Sequence, residues 1–230
     1  MDIGVFIFDT DYSINISELA RELEERGYES LFVPEHTHIP TSRRSPFPGG
    51  GELPKQYSHT LDPFVSLGFA AASTKNLKIG TGICLLPQRD PIVTAKSIAS
   101  LDLMSKGRFV LGLGGGWNVD EMENHGVTYK TRFAMMKEHV LAMKSLWVDE
   151  EAEFHGEYIN FDKSWAYPKP VQKPYPPILM GGETDYTLKR VVDYCDGWFP
   201  RGRGGFDAGE SMQRLKNMAA ESGRDMNTLS

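Results

Sequence analysis

Residues 108 to 121 read Arg108-Phe-Val-Leu-Gly-Leu-Gly-Gly-Gly-Trp-Asn-Val-Asp-Glu121. An apolar run of strand length, 109–113, breaks into three glycines, Gly114, Gly115 and Gly116, and then into Trp117 and a polar stretch suited to capping a helix. Glycine lets backbone N–H groups approach a ligand because no Cβ stands in the way. At a strand-to-helix junction those groups and the positive end of the helix can hold an anion, usually phosphate. A tight turn that merely needs glycine is the plainer reading. The familiar phosphate fingerprints do not apply: in G-x-G-x-x-G register from Gly112 and Gly114 the third glycine is replaced by Trp117, and no Gly-Lys-Ser/Thr follows.

Strand-then-helix units extend to both sides of this stretch. Apolar runs at 3–8, 30–34, 77–86, 109–113, 177–180 and 197–199 are nearly continuous, as in parallel strands buried on both faces. Amphipathic segments lie between and after them, at 16–26, 63–73, 91–105, 132–148, 186–194 and 208–222. In the fourth, Phe133, Met136, Val140, Met143 and Trp147 recur at three- and four-residue spacing, the stripe of a core-facing helix. Two helices open alike, on Asp62-Pro63 and Asp90-Pro91, where Asp caps and Pro suits the first helical position. Strand followed by helix, six times over, predicts an α/β domain on a parallel sheet.

The unusual residues fall at several strand ends: Glu35 and His36 after the second run, Gly82, Ile83 and Cys84 in the third, Gly114 to Trp117 after the fourth, Gly181 and Gly182 after the fifth. An open sheet collects ligands at one switch point, whereas a (β/α)8 barrel collects them from many strand ends, so a TIM barrel is predicted. A complete barrel takes about 250 residues. This chain supplies six units and looks truncated by two.

Residues 1–230 read as one such domain with two interruptions. A Pro/Gly/Ser-rich loop spans 37–60, a length that in a compact domain is functional or disordered. A small insert spans 151–176, within which 153–161 alternates around His155-Gly156 like a hairpin and a proline-rich run follows. The net charge of −6 argues against a nucleic-acid surface, so local groups must hold any anionic ligand. Cys84 and Cys195 show no C-x-x-C spacing and read as buried thiols of a reducing compartment. No apolar run approaches bilayer length and the chain opens directly on a strand, so a cytoplasmic protein with no membrane partner is expected.

Taken together, these motifs resemble the bacterial luciferase-like superfamily, most of all its branch of oxidoreductases dependent on the deazaflavin coenzyme F-420. The resemblance runs through nearly the whole chain. Its carriers are Ser30-Leu-Phe-Val-Pro-Glu-His-Thr-His-Ile-Pro40, Ile79-Gly-Thr-Gly-Ile-Cys-Leu-Leu-Pro87, Arg89-Asp-Pro-Ile-Val93, residues 112–121, Trp165-Ala-Tyr-Pro-Lys-Pro-Val171 and Pro177-Ile-Leu-Met-Gly-Gly182. The ordered set is specific for the family, less so for the flavin, and nearly silent on substrate.

The resemblance implies a coenzyme in the barrel mouth, its ring backed by a third-strand bulge with a cis peptide between Gly82 and Ile83. It implies phosphate contacts from Gly114, Gly115, Gly116 and Trp117, and from Gly181 and Gly182. Glu183, Thr184 and Asp185 follow, and their two carboxylates suit a nearby phosphate poorly unless they face solvent and cap the next helix. His36 takes the position of a histidine close to the reacting ring carbon, where an imidazole exchanges the substrate proton as hydride moves. Glu35 either orients His36 or is a paired structural acid. Arg43, Arg44, Arg201 and Arg203 are candidates for the coenzyme's acidic tail or an anionic substrate. Trp165 and Tyr167 either line the mouth or pack the insert. Cys84 reads as a small core residue rather than a nucleophile. His38 and His59 read as loop residues, and His125, His139 and His155 take no role.

The implied activity is hydride transfer between reduced coenzyme F-420 and a small unsaturated or carbonyl-type substrate, with His36 as proton donor. Members of the family often dimerise, which leaves a homodimer open. Other readings stay open beside it: an FMN-dependent monooxygenase using molecular oxygen on the same fold, a metal-dependent hydrolase using the H-x-H pair His36 and His38, or an inactive fragment.

Overall fold

The computed structural model describes residues 2–202 and 206–229. In chain order its first half contains β1 (Gly4–Phe6), α1 (Ile16–Glu25), β2 (Ser30–Val33), α2 (Pro63–Ser73), β3 (Lys78–Leu85), α3 (Pro91–Ser105) and β4 (Phe109–Gly114). There follow α4 (Val119–Asn124), α5 (Arg132–Val148), β5 (Ala152–His155), β6 (Asn160–Ser164), β7 (Ile178–Gly181), α6 (Asp185–Tyr194), β8 (Gly197–Phe199) and α7 (Ala208–Ser222). The capping signals act as expected. The Asp62 carboxylate accepts from the N–H groups of Phe64 and Val65 at 2.9 and 3.0 Å, and that of Asp90 from Val93 at 2.8 Å. Each cap of this kind stabilises by about 1 kcal/mol.

The main sheet has the order β1-β2-β3-β4-β7-β8, with every neighbouring pair parallel. Each strand joins the same growing edge, so the order never reverses and no switch point arises; this is barrel topology. Its curvature shows in one contact. The rings of Phe32 on β2 and Phe199 on β8 lie 5.0 Å apart, although β3, β4 and β7 separate their strands. At about 4.8 Å per strand, a flat sheet would hold them roughly 19 Å apart. The sheet is therefore curled into six strands of a (β/α)8 barrel.

The helices wrap the convex face. Leu31, Ile79, Phe109, Leu111 and Leu113 from the strands are fully buried, and Met136, Val140, Met143 and Trp147 meet them from the predicted stripe of α5, with Phe133 partly buried. The insert is an antiparallel hairpin pairing Phe154 with Phe161 and His155 with Asn160, so its turn falls after His155. Glu138 of α5 closes that turn by accepting from the N–H groups of Glu157, Tyr158 and Ile159 at 2.9, 2.7 and 3.0 Å. Burial opposes its ionisation, but the three donors outweigh that and hold the Glu138 carboxylate below its usual range. Cys84 and Cys195 are buried free thiols. Among the described residues no helix is long and apolar enough to cross a membrane.

Candidate active site

The ends of β2, β3, β4 and β7 converge on one mouth, and the glycines there have separable reasons. In β3 the register against β4 jumps from Thr81↔Leu111 to Cys84↔Leu113, a one-residue bulge, and within it the Gly82–Ile83 peptide is cis as the resemblance implied. The Ile83 side chain runs past two glycines: a Cβ on Gly114 would fall 2.1 Å from its Cδ1, and one on Gly181 2.9 Å from its Cγ2. A side chain at 114 or 181 would therefore force Ile83 to move, so these two glycines make room for Ile83 as it now lies. Gly115 faces the Phe133 ring, 2.7 Å from where its Cβ would stand. Gly116 has φ +73° and Gly182 φ +120°, conformations that favour glycine.

His36 follows β2 and is buried, 8% exposed. Its Nδ1 lies 2.8 Å from Oε2 of Glu121, which is fully buried at the start of α4. A carboxylate accepts, so Nδ1 carries the proton and Nε2 is left for chemistry. The ring stands 5.3 Å from Tyr57 and 5.9 Å from Trp117. Glu121, not Glu35, is therefore the acid that orients His36. Glu35 is the paired structural acid instead: Oε2 accepts from the Leu85 N–H at 2.7 Å and Oε1 from Arg89 Nε at 2.6 Å. Arg89 reaches on to Asp62 at 2.7 Å, which ties the end of β2 to the end of β3 and the start of α2. Burial works against the Arg89 charge, but Glu35 more than restores it and holds the guanidinium protonated. Burial, reinforced by Glu35, pushes the Cys84 thiol well up, which suits a core residue and not a nucleophile.

Loop 37–60 is folded over the mouth by Asp120. That carboxylate accepts from the Ser42 hydroxyl in a close contact and from the Arg44 N–H at 3.2 Å, and it pairs with Arg44 Nε at 3.1 Å. The Ser42 hydroxyl, outweighing burial and joined by Arg44, keeps it below its usual carboxylate range. Ser45 Oγ accepts from the Val119 N–H at 2.9 Å. The loop so held brings Phe47 and Tyr57 to 6.2 and 6.3 Å from Trp117. His38 turns away from His36, its ring nitrogens 2.9 Å from Thr37 Oγ1 and 2.8 Å from Asn124 Nδ2. Among the described residues no three His, Cys, Asp or Glu side chains converge on a metal position, so the H-x-H pair is not the start of a ligand set.

The structure adds cations that the sequence did not group. Arg132 and Arg190 flank the Phe133 ring, their guanidinium carbons 4.2 and 3.7 Å from its centre, and that ring abuts Gly115. Among the described residues neither makes a salt bridge, and Arg132 Nε is buried with no hydrogen-bond partner. Burial holds both guanidiniums below their ordinary range, Arg132 further so because Arg190 is near. Two unpaired cations beside a glycine turn fit a multiply charged anion such as phosphate. The Gln88 and Asn118 amides are likewise buried with neither polar atom satisfied, and Gln88 Nε2 is 3.6 Å from the Cβ position of Gly116. Orphaned buried amides of this kind are waiting for a ligand or water.

After β7, the expectation of two solvent-facing, capping carboxylates holds for the exposure of Asp185 and is corrected for Glu183 and for the cap itself. Thr184 caps α6, its Oγ1 accepting from the Thr187 N–H at 3.2 Å. Glu183 instead accepts from the Arg201 N–H and Nε at 2.6 and 2.9 Å, and Asp185 pairs with Arg214 at 2.9 Å. Arg201 thus draws Glu183 out of solvent, while Asp185 keeps its exposed place in the first turn of α6. Arg201 is thereby committed, and Arg203 lies outside the described residues. Trp165 and Tyr167 are largely exposed on the insert, 76% and 55%: Trp165 edges a groove against α3 and α5, and Lys96 donates to the backbone carbonyl of Tyr167.

The chain is 42% identical over 229 residues to an uncharacterized protein of Mycobacterium tuberculosis, covering 98% of this chain and 80% of that one. It is 29% identical over 175 residues to the F-420-dependent hydroxymycolic acid dehydrogenase of the same organism, covering 74% of this chain and 48% of the other. Its fold matches the crystal structure of monooxygenase RslO1 from Streptomyces bottropensis with a TM-score of 0.80 at 22% identity, over 98% of this chain and 68% of that one. The sequence profile described as luciferase-like monooxygenase matches residues 1–230. With its curled partial barrel, third-strand bulge and glycine loop, the chain belongs to the luciferase-like monooxygenase family of oxidoreductases.

Proposed function

We propose that this protein transfers hydride between reduced coenzyme F-420 and a small unsaturated or carbonyl-type organic substrate, with His36 as the proton donor. The observation that carries the reading is the buried His36–Glu121 pair, 2.8 Å apart at the barrel mouth. A carbonyl that gains hydride at carbon must gain a proton at oxygen. In its imidazolium form, with Nδ1–H held by the buried carboxylate, His36 delivers that proton from Nε2–H and keeps the one on Nδ1. Bound in the mouth, the deazaflavin would supply the hydride chemistry. Arg132, Arg190 and the N–H groups of Gly115, Gly116 and Trp117 would hold its phosphate, and the bulge at Gly82–Ile83 would back its ring. Glu35 and Arg89 keep the end of β2, and so His36, in register with β3. Identity with the F-420-dependent dehydrogenase supports the choice of coenzyme.

The second reading, an FMN-dependent monooxygenase, is favoured by the family's own description. Equilibrium titration of the chain with coenzyme F-420 and separately with FMN decides between them. Tighter binding of the deazaflavin, lost when Gly115 and Gly116 are made bulkier, supports hydride transfer. Preference for FMN moves the protein to the monooxygenase reading, and binding of neither overturns both. We also propose a cytoplasmic homodimer. Its support is the reduced, buried state of both cysteines and the apolar side chains that α2 and α3 expose, Val65, Phe69, Val93 and Met104.

A further inference from the structure

Arg43 and Arg44 are neighbours in the long loop, yet they have different surroundings. Arg44 is committed to structure, its Nε 3.1 Å from Asp120 and its Nη2 2.5 Å from Glu123. Arg43 has no carboxylate partner among the described residues. Its Nη2 donates to the Ser45 carbonyl at 3.3 Å, while Nη1 is buried with no hydrogen-bond partner. In a chain of net charge −6, an arginine left without an anion is conspicuous. The backbone supports the same conclusion. Arg43 has φ 49°, in the left-handed region that residues with a side chain seldom occupy, and such outliers concentrate at ligand sites.

What surrounds Arg43 says what it faces. Its guanidinium carbon is 5.9 Å from the centre of the Trp117 ring, and the Trp117 ring is 5.9 Å from His36. Tyr57 stands 5.3 Å from His36, and Phe47 5.2 Å from Tyr57. Three aromatic rings and the proton-donating imidazole thus gather at one place, with an unsatisfied cation one ring away. Aromatic faces favour a flat apolar partner. A buried guanidinium donor needs an acceptor, and a carboxylate meets it best.

We propose that Arg43 selects the substrate, and that the substrate class is a flat, conjugated compound bearing a carboxylate, which lies among Trp117, Tyr57 and Phe47 with its charge on Arg43. The proposal rests on the oxidoreductase reading of the His36 site. The same guanidinium would also suit an anionic group of the coenzyme, so the test separates the two sources.

The probes are trans-cinnamate, its neutral analogue 4-phenylbut-3-en-2-one, and hexanoate, titrated calorimetrically into the intact chain with and without coenzyme F-420. Cinnamate is expected to bind, and Arg43→Ala to weaken it about tenfold or more, with Arg43→Lys in between. The neutral enone should change less than about twofold, and the affinity for coenzyme F-420 should not move. Urea midpoints of both variants identify any loss that comes from unfolding. Failure of cinnamate to bind the wild-type chain, equal binding of hexanoate, or an undiminished affinity in Arg43→Ala overturns the proposal. A loss confined to coenzyme F-420 overturns it by assigning the anion to the coenzyme. If the coenzyme does not bind but cinnamate binds through Arg43, the oxidoreductase reading fails while the carboxylate site stands.

Discussion

Arg89→Met tests whether the end of β2 is held by charge. Arg89 pairs with Glu35, whose side chain is 2% exposed, and with Asp62, whose side chain is 45% exposed. Removing the guanidinium leaves Glu35 with a single N–H donor, that of Leu85 at 2.7 Å, and no counter-charge. Breaking a buried ion pair from one side costs about 3–5 kcal/mol. The exposed Asp62 half adds at most about 0.5 kcal/mol. The surviving Leu85 donor and the Met stem, which keeps the contact with Phe64, reduce the total, so we expect a loss of about 2–4 kcal/mol. For a chain of this size that lowers Tm by roughly 4–16 °C. Urea unfolding followed by circular dichroism should show the midpoint fall with the slope unchanged. Glu35→Gln in the Arg89→Met background should cost less than its effect alone, with a coupling of about 1–3 kcal/mol. A loss under about 1 kcal/mol, or strict additivity of the two changes, would refute the reasoning.

Further expectations concern single residues. Glu121→Gln removes the carboxylate that fixes the His36 tautomer, and turnover should fall about a hundredfold while coenzyme affinity holds within about twofold; a change mainly in affinity contradicts the assigned role. Gly112→Ala should destabilise by about 3 kcal/mol or prevent folding, because its Cβ would stand 2.1 Å from the Thr81 carbonyl oxygen inside the ladder; thermal melting of a soluble, near-wild-type variant would count against it. Glu138 has a lowered folded pKa, so its stabilisation of the hairpin is present above the ordinary carboxylate value and is lost as pH falls through the lowered one. Limited proteolysis should therefore cut the wild-type hairpin turn only at a pH below the ordinary carboxylate range, and Glu138→Gln already at neutral pH.

Most elements of the fold were legible because their signals are local. The Asp-Pro pairs at 62–63 and 90–91 mark helix starts by chemistry that acts within three residues. Runs such as 109–113 mark strands because both faces of the sheet are covered. α4 was missed because six residues are too few to show a stripe. The site was legible only in part, since His36 and the glycines sit at strand ends but their partners arrive from elsewhere. Glu121 lies 85 residues from His36, and Arg190 reaches Phe133 from a different helix. The divergence of Arg43 from Arg44 depends on which of them the folded loop turns toward Asp120, which no spacing encodes.

The meeting of Phe32 with Phe199 has a consequence for depth. Phe6 stands beside them: a Cβ on Gly82 would come 3.0 Å from Phe199 and 3.1 Å from Phe6. The three rings gather aromatic carbon inside the curl of the sheet, below the strand ends, as a partial floor on which Phe6 is still 49% exposed. His36 lies four residues beyond Phe32, at most about 13 Å of extended chain above that floor. On the proposed hydride transfer, the rings would limit how deep a substrate sinks relative to His36, although they bind no charge and donate no hydrogen bond. Specificity in such a mouth is therefore partly a matter of how far a molecule can sink, set by side chains that take no part in the chemistry.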